Sequence, residues 1–401
     1  MMEMKRYKLS EIGEVRMCKR ILKEETNSVG GVPFFKIGTF GGQADVFITK
    51  EKFKEYKNAY SYPKKGDILI SAAGTIGRTV VFDGKDAYFQ DSNIVWIEND
   101  ESKVLNEYLF YCYKNIRWTT SVGSTILRLY NDDIRNTDII VPHLSEQKKI
   151  SSVLSSLDDK IALNKKINAK LEAMVKRLYD YWFVQFDFPN GEGKPYKTSG
   201  GKMVWNEVLK REIPEGWEVG GLSDIANITM GQSPEGSSYN ECGNGTIFYQ
   251  GSTDFGTRFP SVRMYTTAPT RFAKKGDILM SVRAPVGAVN IANTDCCIGR
   301  GLSALNSKLG SMTHLYYVID NFRHTFENKN VAGTTFGSIT KDELFELPVA
   351  IPDSNILKQF EFVIKPIFDK QMNIGFEIQK LTELRDRLLP LLMNGQVEVE
   401  E

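Results

Sequence analysis

The chain repeats itself, and that repeat limits what it can fold into more than any other feature. Lys-Lys-Gly-Asp-Ile-Leu at 64–69 recurs at 274–279, an offset of 210 residues. The same offset carries Ser71 onto Ser281, Gly77 onto Gly287, Gly123 onto Gly333, Thr125 onto Thr335 and Pro142 onto Pro352. Beyond the prolines it carries Lys170-Leu171 onto Lys380-Leu381 and Arg177-Leu178 onto Arg387-Leu388. One register held over such a distance means two copies of one structural unit. Leu9-Ser10-Glu11-Ile12 resembles Leu222-Ser223-Asp224-Ile225 as well, at an offset of 213.

Each copy is a lobe followed by a long amphipathic segment. From Ser145 to about Phe186, Ile150, Leu154, Leu157, Ile161, Leu171, Val175, Leu178 and Trp182 alternate in steps of four and three, with Asn164 and Asn168 at the intervening positions. That is the spacing of a coiled-coil seam. The repeat supplies a second seam after Ser354: Phe360, Ile364, Ile367, Gln371, Ile374, Ile378, Leu381, Arg385, Leu388 and Leu392. Forty helical residues span roughly 60 Å. Ser145 and Ser354 are expected N-caps, Gly395 the stop of the second helix, and Pro366 a kink or a delayed start. Asn164 and Asn168 read as register markers, because their counterparts are Ile374 and Ile378.

Inside the lobes, short segments rich in Val, Ile, Phe and Tyr predict strands at Pro33–Ile37, Asp67–Ile70, Thr79–Phe82 and Ile94–Ile97. The second lobe has them at Ile247–Tyr249, Asp277–Ser281, Ala288–Ile291 and Leu302–Leu305. Helices are expected near Leu105–Tyr113 and Thr313–Phe322. The fold class is α+β: two similar α/β lobes joined by two long antiparallel helices forming a coiled coil, with pseudo-two-fold symmetry. The boundaries are 1–143 for the first lobe, 144–188 for the central helix, 189–350 for a linker and the second lobe, and 351–401 for the C-terminal helix. The Pro, Gly and Lys content marks 187–214 as the linker.

Catalytic signatures are few. No Gly-rich turn forms a phosphate-cradling motif. Asp180-Tyr181-Trp182-Phe183 faintly resembles the tetrapeptide of amino-methyltransferases but lacks its prolines and lies on the seam. Asp138 with Glu146 and Lys148 resembles a nuclease arrangement, yet Glu146 and Lys148 fall in a helix's first turn, where a solvated face is the expectation. Five scattered cysteines without a CxxC, and three histidines, predict free, mostly buried thiols and no metal site. No apolar run reaches the length of a membrane span, and the N-terminal residues lack the core of a signal peptide, so the expected location is cytoplasmic with no membrane partner.

The sequence does suit a polyanion. The net charge is only +1, but clustering matters more than the sum. Between Phe255 and Arg300 stand Arg258, Arg263, Arg271, Lys274, Lys275, Arg283 and Arg300 against Asp277 and Asp295 alone. Gln250, Ser252 and Thr253 precede them, and Tyr265 and Phe272 are interleaved. Arg can bridge a guanine edge, Gln or Asn can read adenine, and Lys, Ser and Thr can hold phosphates. The second-lobe candidates for DNA contact are therefore Gln250, Ser252, Arg258, Arg263, Arg283 and Arg300. In the first lobe they are Arg20, Lys36, Thr39, Ser71, Thr75, Arg78, Gln90 and Asn93, diluted by Glu14, Glu24 and Glu25.

These residues carry a resemblance that covers essentially the whole chain. The duplicated KKGDIL-x-S segments, Ile140-Val141-Pro142 running into Ser145-Glu146-Gln147-Lys148-Lys149-Ile150, Ile213-Pro214-Glu215-Gly216-Trp217, and the ending Leu388-Leu389-Pro390-Leu391-Leu392-Met393-Asn394-Gly395 are similar to the specificity subunit of type I restriction–modification systems. The resemblance implies a non-catalytic reader of double-stranded DNA. Its lobes would be two target recognition domains, each binding half of a bipartite, asymmetric sequence, and its helices would set the spacing. It would recruit two modification subunits that methylate adenine with S-adenosylmethionine. With restriction subunits the assembly would cleave DNA using ATP and magnesium, and those cofactors would sit on the partners. Two other readings stay open: a self-sufficient DNA enzyme of unfamiliar motif, and a scaffold joining two protein-binding lobes. Lys148, Lys149, Lys165, Lys166, Lys170 and Lys176 are either a solvated helix face or part of a docking face. Ile167, Met174, Leu384 and Leu391 either contact partners or widen the seam.

Overall fold

The computed structural model describes residues 3–118, 128–331 and 337–400. Gly123, Thr125, Gly333 and Thr335 of the repeat therefore lie outside the described residues. Helix and strand are mixed, and the chain divides into two compact units, Met1–Ile161 with Lys380–Glu401, and Ala162–Gln379.

In the first unit a four-stranded antiparallel sheet runs in the order Gly13–Met17, Ile94–Asn99, Ile68–Ser71, Thr79–Val81. Successive side chains of a strand point to opposite faces, and here both faces are covered. Ile68, Ile70, Val95 and Ile97 enter the core that holds the helix Asn106–Asn115. Leu69, Ile94 and Trp96 enter a second core with Phe34, Phe40, Tyr88 and Phe89. The second core carries a smaller sheet, Val46–Ile48, Val32–Phe35 and Tyr88–Phe89, whose last pairing is parallel.

The second unit repeats this plan. Its four-stranded sheet runs Ala226–Met230, Leu302–Ser307, Ile278–Ser281, Val289–Ile291. Ile278, Met280 and Leu305 face one core, and Leu279, Leu302 and Ala304 face the other. The companion sheet again contains a parallel pair, Thr246–Tyr249 beside Cys296–Ile298. The sequence-based strands agree with these to within a few residues, and the second helix is longer than expected, Met312–Val331.

The repeated hexapeptide proves to be a turn followed by the start of the central strand. Asp67 N donates to Lys64 O at 3.0 Å, and the Asp67 carboxylate accepts from Lys64 N at 2.7 Å. Asp277 does the same with Lys274, at 2.9 and 2.8 Å. Gly66 and Gly276 hold φ of +97° and +93° at the third position, as a type II turn requires. A Cβ on either glycine would meet nothing within 4 Å.

Several elements depart from expectation. Lys5–Lys8, too polar to read as a strand, pairs antiparallel with Asp138–Val141, and Glu218–Gly221 pairs likewise with Pro348–Ile351. The stretch read as a linker, 187–214, contains the hairpin Met203–Asn206/Arg211–Pro214. There Phe188 stacks between Tyr196 and Trp217 at ring distances of 4.7 and 5.3 Å. Its apolar residues outweigh its turn-forming composition. The helix Lys50–Ala59, capped by Thr49, was not expected either. Cys18, Cys112, Cys296 and Cys297 are buried free thiols, and Cys242 is exposed.

The first long helix spans Leu144–Tyr179 and continues as a π turn over Asp180–Val184. The second spans Ser354–Met393 without interruption. Pro366 does not delay its start, since Pro366 is exposed and the carbonyl left without an N–H can face water. Neither serine is the cap. His143 O accepts from Glu146 N and Gln147 N, which places Ser145 inside the first turn. Asp353 accepts from Asn355 N at 2.8 Å, ahead of Ser354. At the far end Gly395, φ +66°, closes the second helix with Gly395 N bonded to Leu392 O and Gln396 N to Leu391 O, a Schellman stop.

Within each unit, rising numbers on the first helix meet falling numbers on the second. In the first unit Ile150 and Leu154 share a core with Leu388, Leu392 and Met393, and Arg385 binds Asp158 at 2.8 Å. Burial would raise the Asp158 carboxyl, but Arg385 and Lys114 outweigh it and hold the group below its ordinary value. In the second unit Tyr179 and Trp182 meet Phe360, and Asn168 Nδ2 donates to Gln371 O at 3.3 Å. Ile161, Asn164, Ile364 and Ile374 are buried, whereas Leu157, Leu171, Leu178, Ile378 and Leu381 are half-buried.

Two stability outcomes follow. Gly276→Ala should cost about 1–2 kcal/mol through backbone strain alone, seen as a lower denaturation midpoint with unchanged secondary structure. Asn164 is 3% exposed and its Nδ2 has no hydrogen-bond partner among the described residues. Asn164→Leu should therefore raise stability by about 1 kcal/mol; a fall in melting temperature would contradict its placement on the seam.

Candidate nucleic-acid interface

Parallel neighbours end on the same edge of a sheet, and this brings the candidate residues together. In the second lobe Thr246–Tyr249 runs into Gln250–Asp254, and Cys296–Ile298 runs into Gly299–Gly301. Gly299 N donates to Tyr249 O at 2.8 Å and Gly301 N to Gln250 O at 3.2 Å. A Cβ on Gly301 would lie 2.6 Å from Gln250 O, which is why the two loops can close on each other only with glycine there. Ile278–Ser281 ends at the same edge, because Ser281 pairs with Leu302.

The result is a concave mouth of about 260 Å³ whose lining includes Gln250, Ser252, Arg263, Arg283 and Arg300. Asp254, 6% exposed, holds Arg263 at 2.5 Å, and that hydrogen bond raises the guanidinium's pKa. Arg283 and Arg300 are exposed and have no carboxylate at ion-pair distance among the described residues. Such a surface offers fixed positive charge beside amide and hydroxyl groups, the donor set that phosphate oxygens and base edges accept.

Arg258 does not belong to it. Only 6% exposed, it pairs with Glu172 at 2.8 Å and lies 4.6 Å from the Phe368 ring and 4.9 Å from that of Tyr316. Its charge serves the interior of the second unit. Lys274 and Lys275 fall in the turn before Ile278–Ser281, at the opposite end of that strand from Arg283. The seven basic residues of 255–300 are therefore not one patch; chain proximity and strand direction separate them.

The first lobe has the corresponding sheet edge, its counterpart of the mouth, with other residues along it. Gln90 N donates to Phe35 O, and Gln90 Oε1 accepts from Ile37 N, both at 2.9 Å. Ala72 N donates to Asn93 O at 2.7 Å. Ser71 is buried; its hydroxyl donates to Thr75 O and accepts from Arg78 N, and Arg78 donates to Phe40 O at 2.9 Å. Thr39 Oγ1 accepts from Lys36 N, and Lys36 pairs with Asp45 at 3.2 Å. Ser71, Gln90 and Thr39 thus shape the loops with their side chains, as does Arg78 from an exposed position, while Thr75 is exposed and Lys36 half-buried. Arg20 is exposed beyond Gly13–Met17, a strand that ends at this edge because Met17 pairs with Val95.

Sequence reading missed Asp91, Ser92 and Arg128 in the first mouth and Asp254 in the second. Arg128 bridges Ala73 and donates to Ser92 O at 3.2 Å. The 210-residue offset pointed to it, since it carries Ala73 onto Arg283 and Arg128 onto Ser338, which also form a bridge.

A family model described as the type I restriction modification DNA specificity domain matches residues 1–173 and 214–382. A putative type I restriction enzyme specificity subunit of Methanocaldococcus jannaschii is 30% identical over 430 residues, covering 98% of this chain and 97% of that one. A putative specificity subunit of Haemophilus influenzae is 59% identical over 150 residues, a match spanning 37% of this chain and 39% of that relative's length. The crystal structure of a type I restriction–modification S subunit from M. genitalium aligns with a TM-score of 0.58 at 14% identity, covering 98% of this chain and 96% of that one. At that identity it shows a common fold.

Arg258→Ala should lower stability by about 2 kcal/mol, less than for a fully buried pair because Glu172 is one-third exposed. DNA affinity corrected for folded protein should not change; a selective loss of affinity would return Arg258 to the interface.

Proposed function

The chain belongs to the family of type I restriction–modification DNA specificity subunits, and we propose that its two mouths read the two halves of a bipartite, asymmetric duplex sequence. The observation that carries this reading is equal topology with unequal lining. Where the second lobe has Gln250 after its first parallel strand, the first has Lys36. Between the backbone bonds that frame the next loop, the second lobe places Arg300 and the first places Asp91-Ser92. Identical partners would be served by identical linings, whereas different half-sites need different donors and acceptors.

In this proposal the chain performs no chemistry. It brings two adenine-modifying subunits, and restriction subunits where the assembly cleaves, to the site it reads. S-adenosylmethionine, ATP and magnesium would be bound by those partners. The long helices pair as an antiparallel coiled coil and set the gap between half-sites. Met174 and Leu384, apolar and exposed on them, are candidate partner contacts.

Sequencing modified adenines in DNA from cells that carry the partner subunits tests the proposal. Exchanging residues 220–345 for those of a relative should change one half of the modified sequence and leave the other. A change in both halves would reject the two-reader arrangement. Absence of any DNA protection by the assembled complex would favour a scaffold instead.

A further inference from the structure

Each lobe carries one arginine at the same bridge of its topology, and the two lobes take it from opposite sides of that bridge. The bridges Ala73–Arg128 and Arg283–Ser338 are equivalent residue for residue, since Leu129 N donates to Ala72 O at 2.8 Å and Ile339 N to Val282 O at 2.9 Å, again 210 residues apart. In the first lobe the bridge carries its arginine on one chain segment and alanine on the other. In the second lobe the arginine is on the segment that holds alanine in the first, and serine faces it. Residues opposed across an antiparallel bridge have Cβ atoms about 5 Å apart, a distance that an arginine side chain covers easily. Either arrangement delivers a guanidinium to the same corner.

The surroundings are not kept in this way. Lys36 stands against Gln250, Asp91-Ser92 against Arg300, and Arg78 against Ala288 at the bond from Ser71 N or Ser281 N. Arg128 and Arg283 have no carboxylate at ion-pair distance among the described residues, and Arg128 spends one Nη2 bond on Ser92 O. A charge held constant while its neighbours vary does work common to both half-sites. Phosphates are common to every sequence; base edges are not.

We propose that Arg128 and Arg283 are the equivalent phosphate clamps of the two lobes, fixing the duplex backbone at the same point of each mouth while the residues around them discriminate bases. This rests on the reading of the lobes as DNA readers and adds which side chain holds the backbone in each.

The test is relocation of the charge. Binding of the specificity subunit, assembled with its modification subunits, is measured by fluorescence anisotropy on target and scrambled duplexes across a salt series. Arg128→Ser and Arg283→Ala should each weaken binding about tenfold, the loss of one charge-assisted hydrogen bond. They should do so on target and scrambled DNA alike, and lower the slope of log affinity against log salt by about 0.9. Adding Ala73→Arg to Arg128→Ser, or Ser338→Arg to Arg283→Ala, rebuilds the other lobe's arrangement and should restore both affinity and slope. Arg128→Lys should keep the slope and thermal stability, separating charge from any need of Ser92 for its bond.

A relocated arginine that folds, by an unchanged melting temperature, yet restores neither quantity overturns the proposal. So does a loss confined to the target duplex, which would make the arginine a base reader. Wild-type complex that fails to distinguish target from scrambled DNA would instead reject the reading of the lobes as DNA readers.

Discussion

Everything in a lobe depends on one strand buried on both faces. Ile68–Ser71 and Ile278–Ser281 sit inside their sheets and send alternate side chains into two different cores. Burying a large aliphatic side chain contributes roughly 1.5–3 kcal/mol, and these strands do so on each side. A one-residue slip would exchange the two faces and misplace both sets at once. The turn ahead of the strand guards that register, with Gly66 or Gly276 bending the chain and Asp67 or Asp277 closing it. The hexapeptide is thus a structural signature, and its lysines lie at the far end of the strand from the mouth.

The same strand aims the site. It ends beside the loops that follow the parallel pair, so backbone bonds from those loops converge on one edge, and glycine permits the closest approach. The polar side chains nearest that edge divide into two kinds. Ser71, Gln90 and Thr39 bind backbone atoms and shape the loops; Gln250, Arg263, Arg283 and Arg300 project where a ligand can meet them. Arg258 shows how burial decides such roles, because Glu172, Tyr316 and Phe368 surround a charge that sequence alone groups with the others.

Much of the fold was legible. Periodicity located both long helices, and the 210-residue offset announced two lobes of one design. The losses have particular causes. Lys5–Lys8 is polar because it lies at an exposed edge, where pairing with Asp138–Val141 rather than side-chain burial makes it a strand. The hairpin in 203–214 was hidden by turn-forming residues whose neighbours are aromatic. Cap chemistry lay ahead of the serines that looked more obvious, by two residues at His143 and by one at Asp353.

What the sequence by itself determined is what repeats along the chain: the duplication, the alternation of the central strands, the two long helices, and the family to which such a pattern belongs. Those features depend on spacing, and spacing is written in one dimension. The tertiary structure decided which charges share a surface. Gln250, Arg263, Arg283 and Arg300 come from separate loops, and Arg128 and Arg283 take equivalent places in their own lobes from opposite sides of a bridge. Such groupings depend on strand direction and bridge register, which exist only once distant segments have paired.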